Sequence, residues 1–305
     1  MSFRTVWYRK LYVFTEFNLK EFVLKFSLLL SCLFFSAFSL SALEVEGFKP
    51  DESVVYKKAA KEDLKLHFFY PEGFKKNDGK KRPAIVFFFG GGWVGGSPSQ
   101  FYPFCKHLAE KGMVAVSAQY RTKKSHGTSP QECVKDGKSA VRWLRQNAAV
   151  YGIDPDMLAA GGGSAGGHVA ASTATKTDFE EESEDKSVSS WPNLLVLCNP
   201  VIDNGEKGYG YDRVKEYWQK ISPLHNISKE TPASIFFLGS KDNLIPVSTG
   251  EAWRDKVKEQ GKLSELHVWE GATHGFFNMG KAGGKYYKEI LEKMDAFLKL
   301  NGYIK

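Results

Sequence analysis

Three residues able to do nucleophilic chemistry fall in the chain order serine, aspartate, histidine: Ser164, Asp242 and His274. Ser164 lies in Gly161-Gly162-Gly163-Ser164-Ala165-Gly166-Gly167-His168, a GxSxG pattern. An apolar run at residues 157–160 precedes it and a helix-like run at 169–175 follows. Strand, tight turn and helix is the context in which such a serine stands exposed at the tip of the turn, above a helix N-terminus. A serine that merely caps the helix is the alternative.

A serine hydroxyl is a poor nucleophile at neutral pH; it needs a base, and the base needs an orienting carboxylate. His274, in the loop at residues 270–277, directly follows the last apolar strand-like run and is the candidate base. Asp242, just past Leu238-Gly239, is the candidate acid. Both sit where open α/β sheets keep their sites, beyond strand C-termini. Asp203 also ends a strand and is the rival acid. His168 follows Ser164 by one helical turn and is expected to pack or hydrogen-bond beneath it. The reaction also needs N–H donors aimed at the developing oxyanion. Gly91, Gly92 and Ala165 are the candidate donors, the first two from a glycine-rich loop at residues 90–98. That loop lacks the GxxxxGK[ST] spacing of a phosphate loop.

The elements that must position these groups alternate. Strand-like runs occur at residues 54–56, 64–70, 83–89, 113–118, 157–160, 194–198, 233–239 and 265–269. Helix-like runs fall at about 100–111, 130–150, 247–260 and 285–300. Buried strands alternating with helices predict one doubly wound α/β domain, residues 43–305. The acidic run at residues 178–185 is expected to be a solvated loop. An aromatic-rich insertion holds Tyr209, Tyr211, Tyr217 and Trp218. Trp93, Tyr211 and Trp218 are candidate substrate-binding residues, with plain packing as the alternative.

The chain has 305 residues, 42% of them hydrophobic and 25% charged, which suits a globular enzyme. The net charge of +7 comes from scattered lysines, with no basic stripe, so nucleic acid is not an expected partner. Residues 26–40 are apolar behind a basic segment, and Ser41 and Ala42 follow: the layout of a signal peptide spanning 1–42. An exported protein, periplasmic or secreted, is expected, without stable membrane insertion after cleavage; an uncleaved anchor is the alternative. Cys198 reads as a small buried apolar residue, and a Cys105–Cys133 bridge is open in an exported chain. No CxxC or HxxxH spacing suggests a metal site, and no cofactor is expected.

From about Val54 to Leu300 the chain resembles the α/β-hydrolase superfamily, within it the hormone-sensitive-lipase-like esterases and small carbohydrate acyl esterases. The matching pieces are Phe89-Gly90-Gly91-Gly92-Trp93, Tyr120-Arg121, Gly162-Gly163-Ser164-Ala165-Gly166-Gly167, Asp242-Asn243-Leu244-Ile245-Pro246 and His274-Gly275-Phe276. The resemblance implies a mostly parallel sheet covered on both faces and a serine esterase without metal or cofactor. Its substrates would be small-molecule or oligosaccharide esters, with acetyl or feruloyl groups on carbohydrate among them. Two departures stand out: Phe89 where the family usually has histidine, and Gly163 where it usually has aspartate. A serine peptidase or amidase of the same fold, and a non-catalytic binding protein on that scaffold, are the competing readings.

Overall fold

The computed structural model describes residues 47–305; the expected signal segment 1–42 lies outside the described residues. The apolar runs form one eight-stranded sheet: β1 Glu52–Lys57, β2 Leu64–Phe69, β3 Arg82–Phe88, β4 Val114–Ala118, β5 Ile153–Gly163, β6 Leu194–Cys198, β7 Ala233–Gly239 and β8 Ser264–Trp269. Their order across the sheet is β1-β2-β4-β3-β5-β6-β7-β8. β2 pairs antiparallel with both β1 and β4, and every pairing from β4 through β3 to β8 is parallel. The expected mostly parallel α/β-hydrolase sheet is the one found.

Alternation sorts β3 onto two cores. Ala84, Val86 and Phe88 join one buried cluster, Ile85 and Phe87 the other. Helices α1 (Tyr102–Glu110) and α5 (Lys285–Leu300) cover the second face through Phe104, Leu108, Ile290 and Phe297. Helices α2 (Pro130–Gln146), α3 (Ala165–Thr173) and α4 (Val247–Glu259) cover the first through Ala140, Leu144, Val169 and Trp253. β3 is buried throughout its centre because helices lie on both sides of it, as in parallel sheets generally.

Two expectations need correcting, and the open question of a Cys105–Cys133 bridge is answered. β5 runs on to Gly163, so Gly161–Gly163 are ladder residues paired with Val196, Leu197 and Cys198, and the turn begins only at Ser164. Cys105 and Cys133 are free thiols buried in opposite cores, with the sheet between them, so no bridge joins them.

The acidic run is a solvated loop only in part: Asp178, Glu182, Ser183 and Asp185 are exposed, but three of its glutamates are tied down. Glu180 pairs with Lys138 at 2.9 Å and Arg142 at 2.8 Å, Glu181 with Lys57 at 2.7 Å, and Glu184 with Arg142. Lys57 also reaches Asp136, at 2.8 Å, whose buried carboxylate takes Arg121 at 2.7 Å. Lys57 stands on β1, Lys138 and Arg142 on α2, and Arg121 just past β4, all far from the acidic run in sequence. Among the described residues no helix is long and apolar enough to cross a membrane.

Burial alone would raise the Glu180 carboxyl, but Lys138 and Arg142 outweigh it and hold it below its ordinary 4.5. Glu181, likewise raised by burial, is held down by Lys57 and Arg121. Carboxyls depressed in the folded state stabilise it above their unfolded pKa and lose that contribution as pH falls through the folded one. A Glu180→Gln/Glu181→Gln double variant is therefore expected to melt below the wild type at pH 7. The gap in Tm should close as pH falls below about 4. A gap that stays constant from pH 7 to about 3 would show that these ion pairs contribute nothing.

Candidate active site

The sharp turn at Ser164 joins β5 to α3. Ser164 has φ 54° and ψ −121°, a conformation that side chains rarely adopt and that costs on the order of 1–3 kcal/mol. Three backbone bonds hold it: its N–H donates to Cys198 O at 3.0 Å, and its carbonyl accepts from His168 and Val201 N–H, each at 3.0 Å. Close approach explains the glycines. A Cβ at Gly166 would overlap the Phe88 and Phe89 carbonyls, and one at Gly162 the Gly166 carbonyl.

The three sequence candidates meet at this turn. His274 Nε2 lies 2.9 Å from Ser164 Oγ, and His274 Nδ1 lies 2.8 Å from Asp242 Oδ2. The other carboxylate oxygen of Asp242 accepts the N–H groups of Leu244 and Ile245, both at 2.9 Å. Burial alone would raise the Asp242 carboxyl; the His274 bond and these two amides outweigh it and keep the group below its ordinary range. The acid and base loops are laced together. Lys241 N–H donates to Ala272 O at 3.0 Å, and Gly271 N–H to Ser240 Oγ at 2.8 Å. The rival Asp203 is elsewhere: it accepts Gly205 N–H at 2.8 Å and lies 3.9 Å from His225.

Gly91 and Gly92 face Ser164 across a cleft of about 290 Å³. Their φ values of 134° and 62° suit glycine. The neighbouring Gly90 N–H is taken by Gln100 Oε1 at 2.6 Å. Ala165, first residue of α3, presents its N–H at the helix N-terminus beside Ser164. A larger hollow of about 760 Å³ around Arg145 and Trp191 shares no lining residue with this cleft.

Phe89 and Gly163 each have a physical counterpart. Phe89 stacks on Tyr120 with ring centroids 4.2 Å apart, and Tyr120 Oη donates to Phe89 O at 2.6 Å. Aromatic packing thus braces the loop that histidine would otherwise tie down. A Cβ at Gly163 would run into the Phe277 ring, so Phe277 occupies the space an aspartate side chain needs.

Residues missed in the sequence complete the site. Asn199 Oδ1 accepts Gly275 N–H at 3.1 Å, and its Nδ2 approaches His274 Nε2 at 3.5 Å. Gln100 Nε2 donates to Asn278 Oδ1 at 3.0 Å, and Asn278 Nδ2 to Gly275 O at 2.7 Å. Gln100 therefore ties the glycine loop to the histidine loop. Asn199 directly follows β6 and could have been flagged as another strand-end polar residue; Gln100 carried no signal of its own.

The aromatic candidates fare differently. Trp93 is 2% exposed and turned inward, its Nε1–H donating to His168 Nδ1 at 3.3 Å. His168 is buried, which lowers its pKa to about 4. It is the neutral tautomer whose Nε2–H donates to Ile221 O at 3.0 Å. Trp218 packs beside Val134, Val214 and Ile221, edge-on to His225 at 5.0 Å. Tyr211 opens a short helical turn, Tyr211–Val214, and does not line the cleft. From the insertion it is Tyr209 that lines it. Sequence could not choose among these rings because which one faces Ser164 is set by the path of the insertion.

Comparison with known proteins agrees with this fold. The BD-FAE family model matches residues 72–204 and the dienelactone hydrolase family model residues 207–299. A thermophilic esterase of the planctomycete Thermogutta terrifontis, Est2, superposes with a TM-score of 0.79 at 41% identity, covering 86% of this chain and 95% of that one. That enzyme has also been solved with butyrate bound, at 40% identity and TM-score 0.78, covering 86% and 96% of the two chains. A further structure of it is phosphorylated by paraoxon, at 42% identity and TM-score 0.78, covering 83% and 95%. Esterase LipQ of Mycobacterium tuberculosis is 28% identical over 219 residues, 66% of this chain and 52% of LipQ. The chain spans about half the length of the curated relatives it matches. With the fold, the strained serine turn and a structural relative at 41% identity in agreement, the chain belongs to the α/β-hydrolase family of esterases.

Proposed function

We propose that the protein is an exported serine carboxylesterase acting on short-chain acyl esters, acetyl groups on carbohydrate foremost and feruloyl groups second. The observation that carries this reading is the hydrogen-bonded line Asp242–His274–Ser164, with contacts of 2.8 and 2.9 Å. Ser164 Oγ attacks the ester carbonyl while His274 Nε2 takes its proton and passes it to the leaving alcohol. Asp242 holds the proton of His274 on Nδ1 and stabilises the imidazolium. The amides of Gly91, Gly92 and Ala165 receive the oxyanion, aided by the positive end of α3. Water then repeats the attack on the acyl-enzyme, with His274 as base.

A cleft of about 290 Å³ is small for a ligand site, which supports short acyl groups. The butyrate-bound and paraoxon-phosphorylated relatives support a nucleophile that accepts short acyl and phosphoryl groups. Export rests on the apolar segment at residues 26–40. N-terminal sequencing of protein from the medium or periplasm should begin close to residue 43; an intact Met1 there would exclude cleavage.

Ser164→Ala is expected to lower kcat/KM on 4-nitrophenyl acetate by at least about 10⁴-fold, and Asp242→Asn by a similar factor. Paraoxon should add one diethylphosphoryl group per wild-type chain and none to Ser164→Ala, read by mass spectrometry. Ester turnover that survives Ser164→Ala would sink the mechanism. Faster turnover of an aminoacyl anilide than of any ester would favour an amidase instead.

Gln100 acts through the glycine loop, as a positioning residue. Gln100→Ala is expected to lower kcat by about 10²-fold with KM nearly constant, because the loop would shift where the oxyanion forms. A loss confined to KM would argue against that role.

A further inference from the structure

We propose that a groove next to the glycine loop is a carboxylate subsite, so that the preferred substrates are esters bearing an anionic group on the part that extends past Gly92. This rests on the serine-esterase reading. The groove holds about 300 Å³, and its walls include Gly92, Val94, Lys123, Pro130 and Arg213 but no aspartate or glutamate. Gly92 also lines the cleft at Ser164, so the two spaces share a wall. A substrate whose carbonyl lies on the Gly91 and Gly92 amides has this groove as its next neighbour.

Arg213 is held ready for a planar anion. Its Nη1 donates to Gly92 O at 2.6 Å, and its guanidinium carbon sits 4.8 Å from the Trp93 ring centroid and 5.1 Å from that of Tyr209. One amino group and both stacking partners fix the fork. Nε and Nη2 have no protein partner among the described residues. Neither Arg213 nor Lys123 forms an ion pair among those residues. Glu132, the acid next to the groove, is occupied by Ser129 through its backbone N–H at 3.0 Å and its hydroxyl at 2.7 Å. Arg213 is thus ordered by its bond to Gly92 and by two aromatic rings, yet it has no anionic partner among the described residues. Its fork matches a carboxylate in two parallel bonds. Val94, 46% exposed, and Pro130 supply an apolar side for the carbon skeleton that carries the carboxylate.

The carboxylate can come from the acyl part or from the alcohol part, and two substrate pairs distinguish them. One pair is 4-nitrophenyl hemisuccinate against 4-nitrophenyl valerate. The other is O-acetylated glucuronic acid against O-acetylated glucose. In at least one pair, kcat/KM for the anionic member is expected to exceed that for its neutral partner by about tenfold at low salt. The preference should shrink several-fold at about 1 M salt. Arg213→Gln should bring the ratio close to one, and Lys123→Gln should lower it in part. Because Arg213 touches Gly92, its replacement lowers turnover of both members; the ratio removes that shared loss. An active wild type with no anionic preference in either pair overturns the subsite, as does a preference that survives Arg213→Gln. Absence of turnover on every ester, or turnover that Ser164→Ala retains, overturns the esterase reading instead.

Discussion

The site depends on one close approach: the first turn of α3 lies directly against the end of β3. Gly166 sits where any side chain would collide with the carbonyls of Phe88 and Phe89, and Gly162 where one would collide with Gly166. With those two positions bare, the helix starts immediately under Ser164. Its N-terminal amides and dipole then point at the place where negative charge would develop. The same contact sets where the glycine loop starts, since Phe89 leads straight into Gly90. Strain at Ser164 is the cost, and three backbone bonds from two neighbouring segments keep it in place. Ser164, the helix terminus and the glycine loop therefore share one geometric origin, and none can shift alone.

Polar braces have been exchanged for aromatic ones around this contact. Phe277, which blocks a side chain at position 163, is itself stacked on Phe101 with centroids 5.6 Å apart. Phe101 lies against Phe87 at 4.8 Å, under β3. On the other side, the Phe89–Tyr120 stack fills the place of a histidine network. Neither stack holds a group that titrates near neutral pH: the phenylalanines do not ionise, and burial pushes the Tyr120 hydroxyl well above its ordinary value. Direction, which stacking alone does not supply, comes from the amide side chains of Gln100, Asn199 and Asn278. Each links one loop to another by a directed hydrogen bond. Replacing Phe89 by histidine alone would thus put a polar ring against Tyr120 and leave the bond from Gln100 to Gly90 still necessary.

What could be read from the sequence follows from the range of each interaction. The sheet was legible because burial on both faces leaves continuous apolar runs in β3, β4 and β6. Ser164, Asp242 and His274 were legible because strand ends and chain order are local facts. The length of β5 was not: its glycines look like a turn, yet their pairing with β6 makes them ladder. Nor was the fate of residues 180–184, whose partners stand on β1 and α2. For Trp93 the sequence left substrate stacking and plain packing both open, because the buried acceptor that draws its N–H inward is His168, 75 residues away.

That acceptor explains why the aromatic insertion belongs to the site although most of it lines nothing. His168 accepts from Trp93 on one ring nitrogen and donates to Ile221 on the other, so it must be neutral and of a single tautomer. Burial enforces this by pushing its pKa down to about 4, far enough that the link persists at neutral pH. Trp93 continues the glycine loop, His168 stands on α3, and Ile221 ends the insertion. Arg213 closes the circuit from the insertion back to Gly92. The segment that shapes the rim of the cleft is thus bonded at two points to the elements that would hold the oxyanion. Changes in the insertion that alter what the rim recognises must then also alter the catalytic geometry, unless both the His168 link and the Arg213 link are kept.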